Sequence, residues 1–332
     1  MTNLAGTSPN SVEQLRLARE LADRFRSRGH DVYLVGGAVR DALLGRPIRE
    51  LDFATSAPPS VTVEILESFG TRSPYRVGEK FGTIGYHSGE LRIEITTYRS
   101  REVYQPGSRK PDVQFGRSLE EDLSRRDFTI NAIAWDPSTD ALIDPLGGIQ
   151  DLLDGVIRAV GTAEDRFRED PLRLLRAVRF SAVLDFAIES ETWRGILMSA
   201  PALESISRER LREEFTRLLE SDHPSEGMGL LRDAGLLAFS VPQLLELTRM
   251  PDHGPRHPLS LWDHTMRVLQ AVPPILVVRW AALLHDIAKP ATRTYEANGR
   301  PRFFHHEELG AQMVRDILGG LRYPTTIVQS VA

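Results

Sequence analysis

Glu50 and Asp52 stand two residues apart in a short apolar run. On a strand alternate side chains share a face, so the two carboxylates point to the same side. Upstream, the β-branched and aromatic run Val32–Val35 ends in Gly36 and Gly37 and reads as a buried strand entering a tight turn. The amides of such a turn, with the N-terminus of a following helix, can hold phosphate oxygens. A glycine pair alone is a cheap turn, and an acid pair alone is usually the solvated face of a strand. Together, at this spacing, they form what a two-metal phosphoryl or nucleotidyl transfer site needs.

The stretch 33–55 resembles the class II tRNA nucleotidyltransferase and bacterial poly(A) polymerase family, whose head domain carries Gly-Gly-x-Val-Arg-Asp and then Asp-x-Asp. Gly36 to Asp41 matches the first motif; the second reads Glu50-Leu51-Asp52, with glutamate where the family most often has aspartate. The extra methylene moves the first carboxylate by about a bond length, which relaxes metal geometry. The resemblance implies that Glu50 and Asp52 hold Mg²⁺ and that Gly36, Gly37 and Arg40 position a triphosphate. Glu94, in a later β-branched run, reads either as an outward strand charge or as a third carboxylate beside the pair. Arg125-Arg126-Asp127-Phe-Thr-Ile-Asn-Ala132 matches a further family motif in full, in which an arginine contacts the nucleotide triphosphate.

Glu169-Asp170-Pro-Leu-Arg173 matches the family's Glu-Asp-x-x-Arg motif, where the acid and the arginine read the incoming base. The chemistry of such a pair follows from its atoms. A carboxylate only accepts hydrogen bonds and a guanidinium only donates. Side by side they complement an amino group next to an unprotonated ring nitrogen, the edge that cytosine and adenine present. Uracil and guanine offer a carbonyl beside an N–H, which the pair repels. Asp170 with Arg173 therefore accepts CTP and ATP without a nucleic-acid template. Arg176 and Arg179 recur at three-residue steps along the same helix and suit phosphates or structure. A later charge-laced helix over 206–219 resembles the family's neck helix; Arg208, Arg210, Arg212 and Arg217 on it read as solvated surface or as a groove for an acceptor stem.

Histidines concentrate late in the chain: His264, the adjacent His285 and Asp286, then His305 and His306. This spacing resembles an HD metal-hydrolase domain and implies a second divalent metal on His264, His285, Asp286 and His306. A His-Asp pair on an apolar helix is costly to bury unless satisfied, which a metal does. The bland reading is a structural HD fold, which the family often keeps. HD hydrolases supply a final aspartate from the next helix, and that ligand is not within the 332 residues.

The elements that must position these groups read as α+β: a nucleotidyltransferase-type head with a small mixed sheet, an all-α neck and a helical HD-type domain, divided at 1–157, 158–250 and 251–332. An amphipathic helix is expected over 12–28, ended by Gly29. Shorter helices follow over 38–44, closed by Gly45, and over 61–69, capped by Ser60. Residues 81–86 and 91–99 read as a hairpin, and 99–117 as a loop of Gly, Pro and charge. A helix opening at Leu119 carries Arg125, Arg126 and Asp127 in its middle. Asp170 is expected as an N-cap before Pro171, and only helical periods appear after Ala163. With 41% apolar residues, a net charge of −5 and no cysteine, the chain can form real cores but has no global basic signature and no disulfides. No apolar run long enough for a membrane span appears, so the chain reads as soluble and cytoplasmic. The resemblance as a whole implies addition of CMP and AMP, from CTP and ATP, to the 3′ end of tRNA. Poly(A) addition or A- or C-only addition is the neighbouring alternative. An HD phosphohydrolase or RNA-binding protein with an inactive head is the alternative of another class.

Overall fold

The computed structural model describes residues 9–70, 72–104, 111–250, 260–297 and 301–332. The polar N-terminal residues 1–8, the tip of the expected loop at 105–110 and the Pro/His-rich stretch at 251–259 lie outside the described residues. The chain forms two compact units that divide between Glu169 and Asp170. The first unit extends past the head boundary expected at 157, because α6 (Ala163–Glu169) packs back on it: Arg166 Nη1 donates to the Ser124 carbonyl at 3.2 Å.

In the first unit α1 (Pro9–Ser27) buries Leu15, Ala18, Leu21, Ala22 and Phe25 at helical spacing, and Gly29 closes it at φ +79. Then come β1 (Val32–Val35), α2 (Gly37–Leu43), β2 (Glu50–Thr55), α3 (Pro59–Phe69), β3 (Thr83–Ser88) and β4 (Leu91–Thr97). The next elements are β5 (Arg99–Tyr104), β6 (Pro111–Phe115), α4 (Leu119–Ser124), β7 (Ala134–Asp136), β8 (Ala141–Ile143) and α5 (Gly148–Asp154). The main sheet has the order β3-β4-β2-β1-β7-β8, with β2 and β4 parallel and its other neighbours antiparallel. Leu51 and Phe53 go into the core, so Glu50 and Asp52 take the opposite face.

Three expectations are corrected. Residues 99–104 and 111–115 are not loop: they are β5 and β6, paired antiparallel, with Pro111 at a strand start where its missing N–H costs no ladder bond. The helix at Leu119 stops at Ser124, so Arg125, Arg126 and Asp127 are not mid-helix. Their backbone pairs instead with 158–160: Thr129 N–H donates to Arg158 at 2.9 Å and Val160 N–H to Asp127 at 3.1 Å. Finally, α3 begins at Pro59 rather than behind Ser60, using a proline in its first turn.

The second unit contains α7 (Leu172–Leu184), α8 (Ser190–Ser199), α9 (Arg208–Leu219), α10 (Pro224–Asp233), α11 (Leu237–Ser240) and α12 (Leu245–Thr248). It continues with α13 (Leu261–Ala271), α14 (Leu276–Leu284), α15 (Lys289–Thr292), α16 (His306–Gly320) and α17 (Thr325–Val331). Residues 293–295 and 301–303 pair as a small antiparallel ribbon, an exception to the purely helical expectation. Leu175, Val178 and Ala182 of α7 are buried, with Leu211, Phe215, Leu218 and Leu219 of α9.

Candidate active site

In the first unit the strand register sets the acids. Glu50 is opposite Arg92 and Asp52 opposite Glu94 across the parallel β2–β4 pair. All four share one face of the sheet. Asp52 accepts no hydrogen bond among the described residues. Burial first, then the Glu50 and Glu94 carboxylates, push its carboxyl up to about 7, against the opposing pull of Arg126 and Arg92. Glu94 is ion-paired with Arg92. The three carboxylates are not drawn together as one tight cluster; they line the face in strand register.

The glycine turn stands beside them. Gly36 has φ +69, a left-handed conformation that favours glycine, and a β-carbon there would sit 3.0 Å from Arg126 Nη1. Arg126 also donates to Asp122 at 3.0 Å and to the Asn131 carbonyl at 3.3 Å. Its guanidinium is thus placed at the turn and acts on Asp52. The other motif residues are engaged inward. Arg40 donates to the Asn131 side chain at 2.7 Å and to Asp41 at 2.8 Å, while Asp127 accepts from Asn131 Nδ2 at 3.0 Å. Arg125 donates to Asp122 and Glu102, both at 2.6 Å, and ties α4 to the β5–β6 hairpin. Burial raises the Asp122 carboxyl, but Arg126 and Arg125 outweigh it and hold it below the usual carboxylate range.

In the second unit Asp170 precedes α7; its Oδ1 accepts from Leu172 N–H at 3.1 Å. The helix starts one residue past the expected Pro171. Arg210 of α9 holds Asp170 bidentately, Nη1 to Oδ1 at 3.0 Å and Nη2 to Oδ2 at 2.6 Å. Arg210 is therefore not solvated surface: its side chain is only 12% exposed. One turn along α9, buried Glu214 pairs with Arg179 at 2.6 Å and approaches Arg176 at 3.8 Å. Arg173 is buried at the start of α7. The neck-helix motif names Arg210 only as one of four basic residues and does not single out Glu214. The available signal was their four-residue spacing, which puts both on one face of α9, where Arg210 meets Asp170 and Glu214 meets Arg176 and Arg179 of α7.

Also in this unit His264, His285 and Asp286 bring one ligand atom each within 4.8 Å of the others. The two Nε2 atoms are 3.2 Å apart, and His285 Nε2 lies 3.2 Å from Asp286 Oδ2. His285 Nδ1 bonds the Ala282 carbonyl at 2.8 Å; a carbonyl only accepts, so Nδ1 carries a proton, and Nε2 is the ring atom turned to the cluster. The hydrogen bond with Asp286 raises the His285 pKa. Burial raises Asp286, but His285 and Lys289 reverse this and hold it at about 2. Lys289 Nζ sits 2.7 Å from the same Oδ2. His306 is not part of the cluster; its Nδ1 bonds the Phe303 carbonyl at 2.7 Å.

A mixed sheet that sets paired acids beside a glycine turn, in a chain whose second unit is helical, defines the nucleotidyltransferase-type class. Residues 32–158 match the poly A polymerase head domain, 185–247 the probable RNA and SrmB-binding site of polymerase A, and 256–332 the HD domain. The CCA-adding enzyme of Streptococcus suis (strain 05ZYH33) is 41% identical over 235 residues, which cover 71% of this chain and 57% of that protein. That of Geobacillus stearothermophilus is 44% identical over 220 residues, covering 66% and 53%. The chain thus spans little more than half the length of these relatives. The crystal structure of the Bacillus stearothermophilus CCA-adding enzyme in complex with CTP superposes with a TM-score of 0.69 at 34% identity, over 97% of this chain and 68% of that one. The Thermotoga maritima CCA-adding enzyme complexed with tRNA gives 0.66 at 25%, over 98% and 76%. The chain belongs to the family of CCA-adding enzymes and poly(A) polymerases with an HD-type domain. Membership implies use of a divalent metal. Among the described residues no helix is long and apolar enough to cross a membrane.

Proposed function

We propose that the protein is a template-independent RNA nucleotidyltransferase that adds CMP and AMP, from CTP and ATP, to the 3′ end of tRNA in the cytoplasm. The observation that carries the reading is the row of Glu50, Asp52 and Glu94 on one sheet face beside the Gly36 turn and Arg126. The donor set fits a hard cation: it is all oxygen, and Asp52 is crowded by like charge with no hydrogen bond of its own. Glu50 and Asp52 hold Mg²⁺, with Glu94 as the third carboxylate. Bound Mg²⁺ supplies Lewis acidity, lowering the pKa of the attacking 3′-hydroxyl and neutralising the departing pyrophosphate.

The residues of the chain do the rest. The Gly36–Gly37 turn leaves room for phosphate oxygens, and Arg126 lends positive charge there. Arg40, Arg125 and Asp127 hold the turn, α4 and the hairpin in place through the bonds described above. The 3′-oxygen bonds to the α-phosphorus as the bond to the bridging oxygen breaks, and pyrophosphate leaves. Asp170 and Arg173 select the cytosine and adenine edges, with Arg210 fixing the Asp170 carboxylate and Arg176 and Arg179 supporting the same helix. The catalytic head ends near 157 within the first compact unit, which continues through α6 to Glu169, and the neck and HD-type regions follow with a division near 250. Incorporation of each labelled NTP on a tRNA ending before CCA tests this. CMP and then AMP addition is expected; phosphate release without incorporation would sink it.

The His264–His285–Asp286 cluster favours a second reading for the HD-type region, a divalent metal site. Its mixed nitrogen and oxygen donors suit a transition metal better than Mg²⁺.

A further inference from the structure

Arg92 is not part of any motif singled out above, yet it stands inside the carboxylate face. On the sheet it is flanked by Glu50 of β2 and His87 of β3, while its own strand places Glu94 two residues on. It forms the ion pair with Glu94, and its field partly offsets the repulsion felt by Asp52. Its position is itself braced: Arg92 Nε donates to Tyr75 Oη at 3.3 Å. Tyr75 cannot drift, because its backbone exchanges hydrogen bonds of 2.8 and 3.0 Å with Gly85 and its ring fills the space over that glycine. A β-carbon at Gly85 would lie 1.8 Å from the ring. Gly85 is the β3 partner of Glu94, so the brace and the acid meet in one register row.

We propose that Arg92, anchored by Tyr75, is a positioning residue that serves as a resident counter-cation for Glu94 and competes with the divalent ion, setting the head's metal affinity. A carboxylate bound by a guanidinium must give up that partner to coordinate a metal. A fixed positive charge beside the site also repels an incoming dication, an effect softened because the Arg92 side chain is 51% exposed. The inference rests on the reading of Glu50, Asp52 and Glu94 as the metal site.

The test is direct Mn²⁺ binding to the whole chain, followed by electron paramagnetic resonance without nucleotide or RNA. The head component is defined as the part lost in Asp52→Ala. In Arg92→Met that component is expected to tighten about tenfold in Kd, equivalent to about 1.4 kcal/mol. Arg92→Lys, which keeps the charge, should stay near the parent value, and Tyr75→Phe should tighten by a smaller factor. A merely structural arginine would instead weaken binding or leave it unchanged. An Asp52-dependent Kd that is unchanged or weaker in folded Arg92→Met overturns the inference and leaves the metal-site reading standing. Arg92→Lys that tightens as much as Arg92→Met overturns it as well. Absence of any Asp52-dependent Mn²⁺ binding in the parent chain overturns the metal-site reading, and the inference with it.

Discussion

Asp52 in the first unit and Asp170 in the second are both acids drawn largely out of water, yet their surroundings differ. Asp170 receives two charge-assisted bonds from Arg210, of 3.0 and 2.6 Å. Asp52 receives none among the described residues and faces two further carboxylates, which with burial raise its pKa to about 7. An acid with an internal partner is oriented for hydrogen bonding and is satisfied without a ligand. An acid held among like charges is stabilised in its ionised form by a nearby cation. The comparison therefore supports the proposed division of labour, with metal chemistry at the head acids and base reading at Asp170.

The sharpest way to break it is Asp52→Ala. Nucleotide addition is expected to fall by about a thousandfold or more, since each 1.36 kcal/mol of lost transition-state stabilisation is tenfold in rate. Thermal stability in metal-free buffer should hold or rise, because a repelled charge is removed. Loss of folding in a calorimetric scan would show that Asp52 is a structural acid like Asp122. His285→Ala should leave addition near the parent rate while abolishing any metal-dependent phosphohydrolase activity. Loss of CMP incorporation in a folded His285→Ala chain would contradict the separation of the two sites.

Asp170→Ala comes next in size. The exocyclic amino group loses its acceptor, while a carbonyl there no longer meets a carboxylate. A hydrogen bond to a charged group is worth about 1.5–3 kcal/mol. The CTP-over-UTP preference should therefore narrow by about one to two orders of magnitude. Arg173→Ala should weaken CTP and ATP together. Single-nucleotide incorporation with all four NTPs reads both effects; a slower but equally selective Asp170→Ala enzyme would place selection elsewhere.

How far the sequence carried this picture depended on distance along the chain. The alternation Glu50-Leu51-Asp52-Phe53 is local, so the face of each side chain could be read from period two alone. The helical spacing of α1 and the β3–β4 hairpin were legible for the same reason. The end of α4 was not, because the backbone of 127–129 finds partners at 158–160, a pairing with no local signature. The β5–β6 hairpin was hidden because Gly, Pro and charge outweigh its short alternation. Arg210 was hidden too: forty residues separate it from Asp170, and only the packing of α9 on α7 joins them. Within the motifs, sequence alone could not tell which arginine stays at the glycine turn. Arg126 is there, while Arg125 is consumed by Asp122 and Glu102.

Arg210→Met sharpens the comparison at the second unit with a smaller expected effect. Arg210 touches the acid rather than the base, so its removal leaves the Asp170 acceptor in place but loosens its orientation. Leu172 N–H still holds Oδ1 at 3.1 Å, so the carboxylate keeps one anchor. The loss in CTP-over-UTP preference should be about three- to tenfold, below that of Asp170→Ala, with kcat falling more than KM rises. Arg210→Lys should recover part of it, restoring charge without the bidentate fork. If Arg210 were only a structural cross-link, the methionine variant would lower Tm while selectivity stayed at the parent value. The four-nucleotide assay alongside a melting curve separates the two outcomes. Selectivity that falls as far as in Asp170→Ala would mean that the arginine itself reads the base.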